Sequence, residues 1–287
     1  MPRLIGHGGL ARVPLLSLAL IGVFISEGAA AQEVIRVGGT GTGTLLIQHI
    51  SKAYSKLKPG VQVIPVLPPM GSNGSLRALA SGAIQIAIVT FPSIYPAPEK
   101  SGDAVENDVI PWVRTPFVFS GRDIVSGTKL TQAQVADIYS GRIAQWQNGR
   151  QIRLITRTER ESDTRILRAT SPVMDQAVLA SVGRVGMSFA ENDLDNQKLL
   201  ESTAGSFGGI GLGQVLLEGS PLKPVSLDGI LPSANSLESG AYRIEKPLHL
   251  VTSKAAAPAT LEFIRYLQSP DIVKKLRRFG FIPMQHD

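Results

Sequence analysis

Between a β-rich run, Val34-Ile35-Arg36-Val37, and a helical pattern carried by Leu45, Ile47, His49, Ile50, Ala53 and Tyr54 stands Gly38-Gly39-Thr40-Gly41-Thr42-Gly43-Thr44. A stretch with nothing larger than threonine, set between a strand end and a helix start, constrains the chain more than any other feature. Glycine lets the backbone turn freely and lets another group come close. The helix start leaves N–H groups unpaired and partly positive, and the threonines add hydroxyl donors. Together these make an anion cradle that needs no cation; the same composition also serves as an ordinary strand-to-helix connection. It is not a P-loop, because no Gly-Lys-Ser/Thr follows. It is not a dinucleotide turn either: the glycines at 39, 41 and 43 alternate, and no acidic residue follows about 20 positions on to hold a ribose.

The rest of the chain repeats this arrangement. Lys58-Pro59-Gly60 stops the first helix, and Val61 to Val66 alternates as a strand. Gly71-Ser72-Asn73-Gly74-Ser75 leads into a helix predicted from Leu76, with Ser75 as either a ligand contact or a plain N-cap. Ala83 to Val89 reads as a buried strand ending at Thr90-Phe91-Pro92. Such alternation predicts α/β architecture with mostly parallel sheets, whose ligands sit at the carboxyl ends of strands. The loops 38–44, 71–75 and 90–92 can therefore converge. Residues 93–111 are a polar, Pro-rich excursion, and Val113 to Ser120 is a strand. Leu130 to Tyr139 is a helix opened by Thr131 and ended by Ser140-Gly141-Arg142, with Trp146 beyond it as a packed aromatic. Strand Ile152 to Arg157 runs into Thr158 to Thr164 and a helix from Arg165, and here Arg157 and Arg160 add guanidinium groups suited to a tetrahedral oxyanion. Ser202 to Gly211 is read as a tight turn, with a backbone contact to ligand as the alternative. Helices over 212–217, 259–267 and 271–278 and a strand over 248–251 complete the expectation.

Residues 1–31 read as a secretory signal: Arg3 and Arg12, the apolar run Val13 to Ile25, and Ala29-Ala30-Ala31 before Gln32. The run is short of the roughly 20 residues a membrane span needs, and the alternative is an uncleaved anchor. The 287 residues contain no cysteine, which excludes disulfides and thiolate metal sites. The net charge of +6 comes from dispersed basic residues, which favours anionic ligands over nucleic acid. The histidines at 7, 49, 249 and 286 are isolated, so no nucleophile–base pair or metal cluster suggests an enzyme. Glu191 to Asp195 lacks EF-hand spacing and reads as a solvated acidic turn.

Four stretches give the chain a resemblance to the periplasmic solute-binding proteins of ABC importers, specifically the phosphate-binding group. They are the Gly/Thr loop; Pro59-Gly60-Val61-Gln62-Val63 with Gly71 to Gly82; Leu130 to Ile143 with Trp146; and Arg157 to Thr164. The resemblance spans residues 34–284 and implies a two-lobed α/β clamshell with two crossing strands. Lobe I would be 34–117 plus 248–287, and lobe II 118–247. It implies oxyanion binding by Thr42, Gly43, Thr44, Ser72 (or Ser75, one register on), Thr90, Arg157, Ser162 and Thr164.

Two departures stand out. The resemblance implies an Asp after the third strand that accepts the proton of hydrogen phosphate, and this chain has Thr90. A hydroxyl donates or accepts, so it tolerates a fully ionised anion such as sulfate. The family's Ser-Gly-Thr is here Ser162-Asp163-Thr164 in a longer loop, with Asp163 expected to point away or to pair with Arg160. The implied protein is a periplasmic, non-enzymatic monomer without cofactor that takes a small oxyanion, phosphate foremost, to ABC permease subunits and binds no nucleic acid. The alternative is a sensor or interaction protein on the same fold.

Overall fold

The computed structural model describes residues 32–91, 107–182, 184 and 187–284. The export signal read in residues 1–31 lies outside the described residues. The chain begins with β1 (Glu33–Gly39), α1 (Gly41–Leu57), β2 (Val61–Pro65), α2 (Gly71–Ala80), β3 (Ile86–Val89) and β4 (Asn107–Ser120). It continues with β5 (Lys129–Leu130), α3 (Gln132–Ser140), β6 (Arg153–Arg157), α4 (Ser162–Ala169), α5 (Pro172–Val182), β7 (Ser188–Ala190) and α6 (Asp193–Ser202). It ends with β8 (Ser206–Gly211), α7 (Leu212–Leu217), β9 (Ser226–Leu227), α8 (Ala234–Glu238), β10 (Glu245–Ser253), α9 (Pro258–Leu267), α10 (Pro270–Arg277) and β11 (Ile282–Pro283).

A nine-stranded sheet runs in the order β2-β1-β3-β10-β4-β8-β6-β7, with β11 on β4. Strands β1, β2 and β3 are mutually parallel, as are β8, β6 and β7. The long strands β4 and β10 pair antiparallel between these groups, from Glu245 opposite Pro116 to Ser253 opposite Asn107. The apolar side chains bury into two main cores. One gathers Ile35, Leu46, Tyr54, Ile88, Leu250 and Phe263 on the β1–β3 side. The other gathers Phe117, Tyr139, Ile155, Val178, Phe207 and Ile210 on the β6–β8 side. This is a two-lobed α/β architecture, with β4 and β10 shared between the lobes.

Local chemistry explains the elements. β3 is Ile-Ala-Ile-Val, buried on both faces, as an interior strand of such a sheet should be. Thr131 and Gln134 form a reciprocal capping box at the start of α3, and Gly141 ends the helix at φ 84°. Trp146 packs edge-on against Phe207, with centroids 5.6 Å apart.

Four expectations are corrected. Helix α1 begins at Gly41, so most of the Gly/Thr loop is the first helical turn, capped by Thr40 accepting from Gly43 N–H. Helix α2 begins at Gly71, and Ser75 lies inside it, its hydroxyl bonded back to Gly71 and Ser72 carbonyls rather than capping. β4 begins at Asn107, so the expected excursion over 93–111 overlaps a strand. Ser206–Gly211, expected as a turn, is the interior strand β8. Two of its three glycines are required by packing: a Cβ on Gly208 would lie 2.7 Å from the Ile155 carbonyl, and one on Gly209 would lie 2.5 Å from the Phe117 ring.

Candidate functional site

The strand ends bring the first turn of α1, the start of α2 and the end of β3 together with Arg157 at the end of β6. Gly43 and Thr44 are spent within α1: Gly43 N–H donates to the Thr40 hydroxyl, and the Thr44 hydroxyl donates to the Thr40 carbonyl. Ser72 Oγ accepts from Thr90 N–H at 3.0 Å, tying α2 to the end of β3. Thr164 donates to the Arg157 carbonyl at 3.1 Å and so holds the α4 turn against β6. Ser162 opens α4 and is buried.

Thr42 is different. Its N–H donates to Asp193 Oδ2 at 2.9 Å, and its hydroxyl lies 3.0 Å from both that oxygen and Gln214 Oε1. Asp193, the first residue of α6, is buried. The acidic turn expected to be solvated therefore points one carboxylate inward. Its helix is capped by Asn192, which accepts from Leu194 and Asp195 N–H. The other Asp193 oxygen, Oδ1, accepts from Arg157 Nη1 at 2.8 Å. Lys246 Nζ, fully buried at the start of β10, lies 3.0 Å from Asp193 Oδ2 and 2.6 Å from Asp163 Oδ1.

Asp163 thus neither points away nor pairs with Arg160, which is exposed. It is buried against Lys246, with Arg157 Nη1 3.5 Å from its other oxygen. Arg157 also meets Glu161 Oε2 through Nη2 at 2.7 Å. The Glu161 carboxylate in turn faces α2, its oxygens 3.7 and 3.9 Å from where a Cβ on Gly71 would stand. Two cations and three carboxylates therefore share one cluster, in which Arg157 was expected but Lys246 and Asp193 were not. The signal for Lys246 was weak: one lysine beside Glu245 at the start of a strand that also carries His249, Thr252 and Ser253.

Burial pushes the Asp193 carboxyl up, but Lys246, Arg157 and the Thr42 N–H outweigh it and hold the group well below the usual carboxylate range. Burial raises Asp163, and Lys246 does not offset it fully; burial also raises Glu161. The cause lies in the donors. Both aspartates share Lys246, but only Asp193 also has Thr42 and a short bond to Arg157, so Asp193 keeps the charge and Asp163 takes a proton first. Burial would lower Lys246 and Arg157, yet the facing carboxylates raise both. Thr90 Oγ1, Thr156 Oγ1 and Arg157 Nε are among the buried polar atoms with no hydrogen-bond partner among the described residues, as is Asp163 Oδ1, which meets Lys246 only as an ion pair at 2.6 Å. The described residues include no group of three or more His, Cys, Asp or Glu able to hold a metal ion.

A two-lobed α/β protein of this topology, with buried cations and helix-start donors gathered at the strand ends, belongs to the solute-binding class of folds. The chain belongs to the PBP superfamily domain family, which it matches over residues 26–271. It is 27% identical over 225 residues to the phosphate-binding protein PstS of Bacillus subtilis (strain 168), covering 75% of this chain and 69% of that protein. Among solved structures, it is similar to a proposed phosphate ABC transporter substrate-binding protein from Clostridium perfringens, solved with bound phosphate. The TM-score is 0.72 at 14% identity, covering 88% of this chain and 100% of that one. It is also similar to an ABC-type phosphate transport receptor from Vibrio cholerae, with TM-score 0.59 and 16% identity over 87% and 100% of the two chains.

Proposed function

We propose that this chain is an exported solute-binding protein that clamps a small inorganic oxyanion, phosphate foremost, between its lobes and delivers it to the membrane subunits of an ABC importer. Lobe I is 34–117 plus 248–287 and lobe II is 118–247, with the signal in residues 1–31 directing export to the periplasm. It acts as a monomer and catalyses nothing.

One observation carries this reading. Thr42 N–H, the Thr42 hydroxyl, Arg157 Nη1 and Lys246 Nζ, drawn from α1, β6 and β10, converge on the two oxygens of a single carboxylate. A constellation that satisfies two charged oxygens from both lobes suits an oxyanion and couples its capture to hinge closure. Thr90 Oγ1 and Arg157 Nε, buried without hydrogen-bond partners among the described residues, supply further donors. The phosphate named for the Bacillus subtilis relative and bound in the Clostridium perfringens structure favours phosphate as the first ligand to test.

The test is titration calorimetry of phosphate, sulfate and molybdate into protein unfolded and refolded to strip carried ligand. Phosphate binding is expected, and Arg157→Ala should abolish it. Retained affinity in that variant would move the site elsewhere. A second reading, a sensor or interaction protein that has no transport role, is favoured by the carboxylates already balancing the cations. Refolded protein that binds none of the three anions would make it the better one.

A further inference from the structure

We propose that Asp193 is a built-in competitor for the oxyanion, setting both affinity and selectivity. Its carboxylate takes the donors of the cleft and ties lobe I to lobe II, and an incoming anion must exchange with it. This rests on the oxyanion reading of the cleft.

Three observations converge. First, Asp193 is bonded as a ligand would be, by a helix-start N–H, a hydroxyl, a guanidinium and an ammonium, although Thr42 and Asp193 lie 151 residues apart. Second, the backbone is shaped for that approach. A Cβ on Gly41 would stand 2.6 Å from the Asp193 Cβ and 3.3 Å from its Cα and Cγ, so only glycine at 41 admits the carboxylate so near the α1 start.

Third, the charges forbid simple addition. The charged groups facing Asp193 are Arg157 and Lys246 on one side and Asp163 and Glu161 on the other. With Asp193 these give two positive and three negative groups, and one proton, on Asp163 or on Glu161, the two carboxyls that burial raises, brings the sum to neutrality. An anion added beside Asp193 would enter a buried site with no uncompensated cation, whereas exchange leaves the donors satisfied and lets Asp193 reach water. Exchange also selects: a monoanion offers the donors little more than the carboxylate it replaces, while a tetrahedral dianion offers more charge and more acceptor oxygens. Dianions should therefore displace Asp193 and acetate or nitrate should not.

The experiment compares wild type, Asp193→Asn and Gly41→Ala, all refolded in anion-free buffer, with phosphate and sulfate titrated by calorimetry and the radius of gyration followed by X-ray scattering. Asp193→Asn keeps the shape and removes the charge. Gly41→Ala keeps the charge and removes the close approach, so it answers the question if the first variant folds poorly. Both variants should bind phosphate or sulfate about tenfold tighter or more, the scale of one charge-assisted hydrogen bond. Both should also expand without anion and contract when it is added, while wild type stays contracted throughout. Affinity equal to or below wild type in both variants would overturn the proposal. If no protein binds either anion, the oxyanion reading itself has failed. Scattering then still decides whether Asp193 ties the lobes, since expansion of the variants supports the tie and an unchanged curve refutes it.

Discussion

Lysine 246 offers the most exposing perturbation of the charge cluster. Its side chain is fully buried, with the ammonium 2.6 Å from Asp163 and 3.0 Å from Asp193. Replacing it with methionine keeps most of the volume and leaves two buried carboxylates to share Arg157, whose Nη1 is 2.8 Å from one and 3.5 Å from the other. Removing one partner of a buried pair costs about 3–5 kcal/mol. At about 2–4 °C per kcal/mol for a chain of this size, Lys246→Met should lower Tm by roughly 6–20 °C at neutral pH.

The loss should depend on pH with a definite sign. Asp163 is raised above its unfolded value even with the lysine present, so without it the group rises further. A carboxyl raised on folding contributes stability below its unfolded pKa and loses it as pH rises through the folded value. Lys246→Met should therefore recover part of its stability as pH is lowered from 8 toward 5, at up to about 1.4 kcal/mol per pH unit. Adding Asp163→Asn should then rescue the variant by about 2 kcal/mol at pH 7, because the orphaned charge is gone. Urea denaturation at several pH values, with both variants and wild type, reads all three quantities. A loss below about 1 kcal/mol, or a second substitution that adds to the damage, would refute the account of a cluster in which Asp163 depends on Lys246.

Other outcomes follow from single contacts. Thr90→Val removes a buried hydroxyl with no partner among the described residues, and should raise stability by about 1 kcal/mol while weakening oxyanion binding; thermal melts and calorimetry on one preparation check both, and a variant that loses stability contradicts the burial argument. Gly209→Ala would drive a Cβ to 2.5 Å from the buried Phe117 ring, and should cost about 1–3 kcal/mol by overpacking; a neutral result in urea denaturation would mean that the ring yields freely.

What was legible in the sequence is what local chemistry controls. Thr131 and Gly141 bracket α3 because caps act within a turn. The Gly/Thr loop marks the β1–α1 junction because only small residues let that backbone pass Ile88: a Cβ on Gly39 would lie 2.5 Å from the Ile88 carbonyl. The misreadings have the opposite cause. Glycines in β8 resemble a turn until the neighbouring strand and the Phe117 ring are in place. Ser75 has the chemistry of a cap, but the helix starts four residues earlier and leaves its hydroxyl to bond back to Gly71. Asp193 resembles a solvated acid because its partners, Thr42, Arg157 and Lys246, lie 151, 36 and 53 residues away. No periodicity within its own segment reports on them.

Thr90 and Asp163, the two departures from the resemblance, both change the charge available to the cleft. The resemblance implies a carboxylate at the end of β3, where this chain has the neutral hydroxyl of Thr90, without a hydrogen-bond partner among the described residues. It implies no charge at the start of α4, where Asp163 now stands against Lys246. Without Asp163 the Lys246 ammonium would keep only Asp193 as a carboxylate partner, and Asp193 would lack its third donor group without Lys246. The end of β3 in this chain therefore has no carboxylate at position 90, and the buried carboxylates Asp163 and Asp193 stand beside Lys246. An acceptor fixed at position 90 would touch a bound anion without moving. A carboxylate at position 193 instead shares the anion's own donors, so it and the anion are alternatives. That difference predicts how the chain discriminates: by the charge an anion brings in exchange for a carboxylate, rather than by the proton it carries.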